Sequence, residues 1–165
     1  MSDLTNRKVV IFGNSGSGKS TLASEIAEAE GLAHLDLDTL AWLPVMPPER
    51  KPLAESQREI DAFVQDSGGW VIEGCYADLL THVLSSATEV VYMNLSVEDC
   101  IKNAKTRPWE PHKYASKEAQ DANLDMLIHW IRDYNTRDDV FSRRAHQALY
   151  ESYSGKKTAY TSNDR

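Results

Sequence analysis

The run Gly13-Asn14-Ser15-Gly16-Ser17-Gly18-Lys19-Ser20-Thr21 limits what this chain can become more than any other feature. It has the spacing G-x-x-x-x-G-K-[ST] and separates two segments of different periodicity. Before it, Lys8-Val9-Val10-Ile11-Phe12 is β-branched and apolar, as in a strand buried on both faces, and it stops at Gly13. After it, Lys19 to Glu30 places Leu22, Ile26 and Ala29 on one helical face and reaches a stop at Gly31. A glycine-rich turn between strand and helix brings successive backbone N–H groups toward one point. There the positive end of the helix dipole adds to the attraction for phosphate. Lys19 is then placed to reach β and γ phosphates, Ser20 to give its hydroxyl to Mg²⁺, and Thr21 to bond an inner phosphate oxygen. The fingerprint G-x-G-x-x-G is missing, which argues against a nicotinamide or flavin cofactor.

The rest of the chain alternates in the same way. Ala33 to Leu37, Trp70-Val71-Ile72 and Glu89 to Leu95 read as strands, with Thr158 to Thr161 a weaker fifth. Helical patterns cover Leu53 to Val64, Ala77 to Leu84, Val97 to Lys105, and a long stretch from about Glu118 to Tyr150 with a break near Tyr134-Asn135. Parallel neighbours need crossover connections, and each crossover helix buries its apolar stripe on the sheet. The expectation is a single α/β three-layer sandwich over residues 1–165. Two segments, about 39–52 and about 107–117, lack periodicity but carry prolines with Trp42 and Trp109, which suits loops that close over a substrate.

Charge narrows the partners. The formal charge is −7, with 6 basic and 16 acidic groups in residues 1–100 against 12 and 9 in residues 101–165. An acidic balance disfavours broad binding to nucleic acid or an anionic membrane and favours a small-molecule partner. The late arginines Arg107, Arg132, Arg137, Arg143 and Arg144 sit at spacings suited to a compact anion. No apolar run is long enough to cross a bilayer. The polar start from Met1 to Lys8 lacks a secretory core, and Cys75 and Cys100 have no zinc or CxxC spacing, so a reduced, cytoplasmic setting is expected.

Further candidates lie at the predicted strand ends. Asp36 and Asp38, two apart on an extended strand, are expected to point the same way into the crevice, where one orders Mg²⁺ waters and the other accepts a proton. The alternative is an aspartate that caps the next helix. Glu73, before Gly74, is placed to hold a metal-bound water or a substrate group. Cys75 reads as a buried spacer, and His34, His82, His112, His129 and His146 as structural or surface groups without metal-ligand spacing. Acceptor-pocket residues are expected from Thr39 to Arg50, including Trp42 and Arg50, and from Cys75-Tyr76; Trp42 either stacks on a ring or plugs the core.

With Ile11 to Thr21, Leu35-Asp36-Leu37-Asp38-Thr39-Leu40-Ala41-Trp42, Trp70-Val71-Ile72-Glu73-Gly74-Cys75-Tyr76 and the arginine-rich stretch from Trp130 to Arg144, the sequence resembles P-loop kinases of the adenylate kinase and shikimate kinase type. Among these it is most similar to small bacterial adenylate-kinase-like, or DNA topology modulation, proteins. The resemblance implies a five-stranded parallel sheet in order 2-3-1-4-5, ATP as phosphoryl donor, Mg²⁺ as cofactor, and a lid formed by Arg107 to Ser116. It further implies Asp36 and Asp38 as the carboxylates for metal waters and the substrate hydroxyl. Arg137, Arg143 and Arg144 become lid-side arginines, and Ser162-Asn163 the adenine-contacting loop. Glu73 stands where these relatives usually have Asp.

The function expected is ATP-dependent phosphoryl transfer to a small acceptor, a nucleotide or a hydroxyl metabolite, with Lys19, Asp38, Arg137 and Arg143 in the chemistry. A nucleotide-dependent switch or slow NTPase is the alternative. The lack of an [NT]KxD motif leans toward ATP over GTP.

Overall fold

The computed structural model describes residues 7–45, 47–111 and 113–164. The polar start through Asn6, Met46 in the first long loop and His112 in the second lie outside the described residues. Five strands, β1 (Lys8–Gly13), β2 (Ala33–Asp36), β3 (Trp70–Gly74), β4 (Glu89–Met93) and β5 (Lys156–Tyr160), form one parallel sheet in the order β2-β3-β1-β4-β5. The helices are α1 (Lys19–Glu30), α2 (Leu53–Asp66), α3 (Ala77–Leu84), α4 (Val97–Thr106), α5 (Lys117–Ala122), α6 (Leu124–Arg132) and α7 (Arg143–Ser152).

Side chains alternate across the pleat of a strand, so a strand in the middle of the sheet must supply apolar groups to both layers. In β1, Val10 and Phe12 join a core with Ile72 of β3, Ile60 of α2, Leu79 and Leu80 of α3 and Leu149 of α7. Val9 and Ile11 face the opposite core, with Val71, Leu22 and Ala23 of α1, Cys100 of α4 and Ile131 of α6. Edge strand β5 is mostly exposed, in line with its weak sequence signal.

The three-layer architecture and the strand order are as expected. Three local differences have physical causes. The helical stretch expected from about Glu118 to Tyr150 does break near Tyr134-Asn135, at a 3₁₀ turn over Asp133–Asn135, but it forms three helices, α5, α6 and α7, and α7 starts only at Arg143, where Ser142 accepts the Ala145 N–H at 3.0 Å. Strand β4 stops at Met93 and not at Leu95, and Ser96 caps α4 by accepting from Asp99 N. Strand β2 stops at Asp36, whose carboxylate accepts the Asp38 N–H at 2.9 Å and turns Leu37–Thr39 into one tight 3₁₀ turn. The first long loop is tied by an antiparallel bridge between Trp42 and Arg50, with Leu43 N–H on the Glu49 carbonyl and Lys51 N–H on the Ala41 carbonyl, both at 2.9 Å.

Candidate functional site

A crevice of about 620 Å³ opens at the carboxyl ends of β1, β2 and β3, where the chain passes from strand to loop and ligand sites gather in sheets of this kind. Its first wall is the glycine-rich loop. Gly16 has φ +79°, and a Cβ there would sit 2.3 Å from the Cys100 carbonyl oxygen. Gly18 has φ +91°, and a Cβ there would lie 2.7 Å from the Asn163 side chain. Only glycine meets both conditions without strain. The loop is fastened from outside: Asn103 of α4 donates to the Gly16 carbonyl at 2.8 Å, and Asn14 donates to the Ile131 carbonyl at 3.2 Å.

Helix α1 starts at Gly18 with no side-chain cap and no acid in its first turn, so no side chain of its own first turn cancels the positive end of its dipole. Ser15, Gly16, Gly18, Lys19, Ser20 and Thr21 line the crevice. Gly13, Asn14 and Ser17 stand behind that wall: Asn14 accepts the Lys19 ammonium on its carbonyl at 2.8 Å and the Ser15 N–H on its own side chain. Ser17 is fully buried, and its hydroxyl is without a hydrogen-bond partner among the described residues.

The second wall is acidic. Asp36 and Glu73 are register neighbours on β2 and β3. Ser20 Oγ donates to Glu73 at 2.8 Å, and His34 Nε2 lies 3.0 Å from the same carboxylate. Glu73 and, after it, Asp36 favour the imidazolium and hold the His34 pKa above its ordinary value against the cost of burial. Burial, together with repulsion from Glu73 and Asp38, pushes Asp36 up to about 6. Asp38 sits in the opposite balance: burial pushes it up, but Lys113 and the Tyr76 hydroxyl outweigh that and hold it below the carboxylate norm.

Asp36 and Asp38 therefore share the crevice, but for another reason than strand parity. Parity would require both on one extended strand, whereas the 3₁₀ turn brings Asp38 round and Asp36 caps that turn. Both carboxylates meet Lys113 from the 107–117 segment, at 2.9 Å for Asp38 and 3.6 Å for Asp36. On its other oxygen Asp38 accepts from Tyr76, which accepts the Trp42 indole N–H at 2.8 Å. Burial keeps Tyr76 protonated, so the order of donation runs from Trp42 to Tyr76 to Asp38. Trp42 meets Tyr76 edge to face and does not line the crevice, and neither does Tyr76.

Gly74, Cys75 and Arg107 do line it. Arg107 pairs with Glu110 at 3.1 Å. Burial raises the Cys75 thiol to about 12, which leaves it protonated and unsuited to attack. Behind Cys75, His146 of α7 is fully buried, with Nε2 2.8 Å from the Cys75 carbonyl and Nδ1 2.7 Å from the Tyr134 hydroxyl. A carbonyl only accepts, so Nε2 carries the proton, Nδ1 accepts from Tyr134, and Tyr134 accepts from Tyr92 at 2.9 Å.

The other expected arginines are not in the crevice lining. Arg50 pairs with Asp78 at 3.2 Å and lies 5.0 Å over the Tyr76 ring. Arg137 pairs with Asp139 at 2.8 Å and stacks 3.7 Å over Trp130. Arg143 is held by Asn94, by Asn135 and, at 3.3 Å, by the Leu95 carbonyl. Arg144 is exposed beside Asp138.

Sequence reasoning missed Lys113 and Asn103. Lys113 had a signal in the basic, non-periodic segment that carries it; Asn103 had none, because only the packing of α4 on the glycine loop reveals it. No group of three or more His, Cys, Asp or Glu side chains among the described residues is arranged to hold a metal alone.

No family model matches the sequence. Over 126 residues, 65% of the chain, it is 26% identical to the Pentafunctional AROM polypeptide of Lachancea thermotolerans, and it spans 8% of the length of that relative. Among solved structures it is similar to a sugar kinase from Janibacter sp. HTCC2649, with a TM-score of 0.52 and 14% identity over 94% of this chain and 85% of that one. The deoxyadenosine kinase from M. mycoides with bound dATP gives 0.50 and 14% over 93% and 90%. Shikimate kinase from Acinetobacter baumannii in complex with shikimate gives 0.49 and 18% over 90% and 94%. The chain has the P-loop kinase fold. These relatives offer no counterpart to the resemblance to DNA topology modulation proteins. No helix among the described residues is long and apolar enough to cross a membrane.

Proposed function

We propose that this protein is a kinase that moves the γ-phosphoryl group of ATP to a hydroxyl or phosphate of a small-molecule acceptor. The observation that supports this most is the convergence of Lys19, Ser20, Asp36, Asp38 and Lys113 on one crevice beside the N-terminus of α1, whose own first turn carries no acid. In this reading the glycine-loop amides and Lys19 hold the β and γ phosphates, and Arg107 approaches from the 107–117 segment, which acts as the lid. The oxygen donors of Ser20 and Asp36, with Glu73 against Ser20 at 2.8 Å, fit Mg²⁺ by their chemistry, and these are the residues that would hold it. When bound, Mg²⁺ supplies neutralisation of charge on the transferring group.

Asp38, held ionised by Lys113, accepts the acceptor's proton, and Tyr76 fixes the orientation of that carboxylate. Arg137 and Arg143, tied to Asp139 and Asn94, have no part in the step as the chain stands here.

Calorimetry with magnesium and a non-hydrolysable ATP analogue tests the reading. We expect saturable binding that weakens by roughly tenfold or more in Lys19→Ala, since one charge-assisted phosphate contact is lost. Folded protein that binds no magnesium nucleotide ends the proposal.

A further inference from the structure

The charges that line the crevice bear on what enters it. Among the described residues, five carboxylates (Glu25, Asp36, Asp38, Glu73 and Glu110) and three cations (Lys19, Arg107 and Lys113) line the crevice. Lys19 belongs to the phosphate loop, and Arg107 pairs with Glu110, so among the described lining residues Lys113 is the cation that pairs with Asp36 and Asp38, while His34, outside the lining, pairs with Glu73. Arg50 and Arg137, two arginines that could receive an anionic substituent, are held by Asp78 and Asp139 and stacked on Tyr76 and Trp130, outside the lining.

We infer, on the kinase reading above, that the acceptor is an uncharged molecule bearing a hydroxyl, and not a phosphate- or carboxylate-bearing one. The magnesium complex of ATP is itself an anion, and an anionic acceptor beside it meets a wall in which acids outnumber bases. Like charges brought together without a desolvated partner oppose binding. A hydroxyl finds both partners it needs: the Asp38 carboxylate takes its hydrogen, and the Lys113 ammonium, 2.9 Å from that carboxylate, donates to its oxygen. In the transfer, the hydroxyl oxygen forms a bond to the γ phosphorus, and the bond from that phosphorus to the β,γ-bridging oxygen breaks. The electron pair leaves with ADP, and the hydroxyl proton goes to Asp38, giving a phosphomonoester.

The test measures ADP release with magnesium and ATP for matched pairs: adenosine against AMP, D-ribose against ribose 5-phosphate, and D-glucose against D-gluconate. The uncharged member is expected to exceed its anionic partner at least tenfold in kcat/KM in one pair or more. Asp36→Asn, which removes one carboxylate, is expected to narrow that ratio at least threefold whatever it does to the absolute rate. A faster anionic member in any pair overturns the inference, as does a ratio unmoved by Asp36→Asn. Silence from every uncharged acceptor, in protein that still binds the ATP analogue, also overturns it. Loss of analogue binding defeats the kinase reading instead, so the two failures are told apart.

Discussion

His146 on α7 donates its Nε2 proton to the Cys75 carbonyl, 2.8 Å away, and so ties the floor of the crevice to the far helical layer. Burial lowers the imidazole pKa to about 4, so it is neutral in the fold and takes a proton in the unfolded chain at any pH below its ordinary value. The stability that follows is complete above about pH 6.5 and is lost as pH falls toward 4, by on the order of 3 kcal/mol for this group. Urea denaturation of the wild type and of His146→Gln at pH 7 and pH 4.5 measures it. The variant is expected to be weaker at pH 7 and to lose less on acidification; equal losses contradict the assignment.

Asp38→Asn keeps the shape of the Lys113 and Tyr76 contacts but removes the base. Turnover is expected to fall by about 10² to 10⁴, the range for a positioned general base, while affinity for the ATP analogue changes by less than about threefold. Parallel loss of rate and nucleotide affinity would mean that Asp38 serves binding.

Lys113→Met removes the ammonium that favours the ionised forms of Asp36 and Asp38. Both carboxyls then titrate at higher pH, so the acidic limb of the kcat/KM profile moves to the alkaline side. A shift to the acidic side, or none, shows that neither carboxylate is the titrating base.

Gly16→Ala forces a left-handed backbone on a residue with a Cβ and drives that Cβ against the Cys100 carbonyl, where 2.3 Å separates them. The expected cost is about 2–4 kcal/mol, since strain and a clash with backbone combine. Chemical denaturation checks it, and a loss under about 1 kcal/mol means that α4 yields easily.

The glycine loop and the alternation of strands and helices were legible because both are local: one is a spacing of eight residues, the other a change of period. The strand order followed from resemblance and agrees with the structure. Contacts set by distant packing were not legible. Asn103 reaches Gly16 across 87 positions, and Tyr76 reaches Asp38 across 38. The arginines show the limit on the electrostatic side: a positive charge in a sequence does not disclose which acid has already engaged it, and Asp78 and Asp139 had engaged Arg50 and Arg137. Asp36 shows another, since a side chain that accepts from the backbone two residues on can end a strand that periodicity would have prolonged.

The pairing of Asp36 with Glu73 along neighbouring strands also restricts how this molecule tolerates length changes. His34, Asp36 and Glu73 share the sheet face that looks toward α1 because strand parity alternates every residue. One residue added or deleted between His34 and Asp36 would leave them on opposite faces, sending the imidazole or the carboxylate to the other layer, into hydrocarbon. The turn before β2 can absorb an insertion; the four positions of the strand cannot.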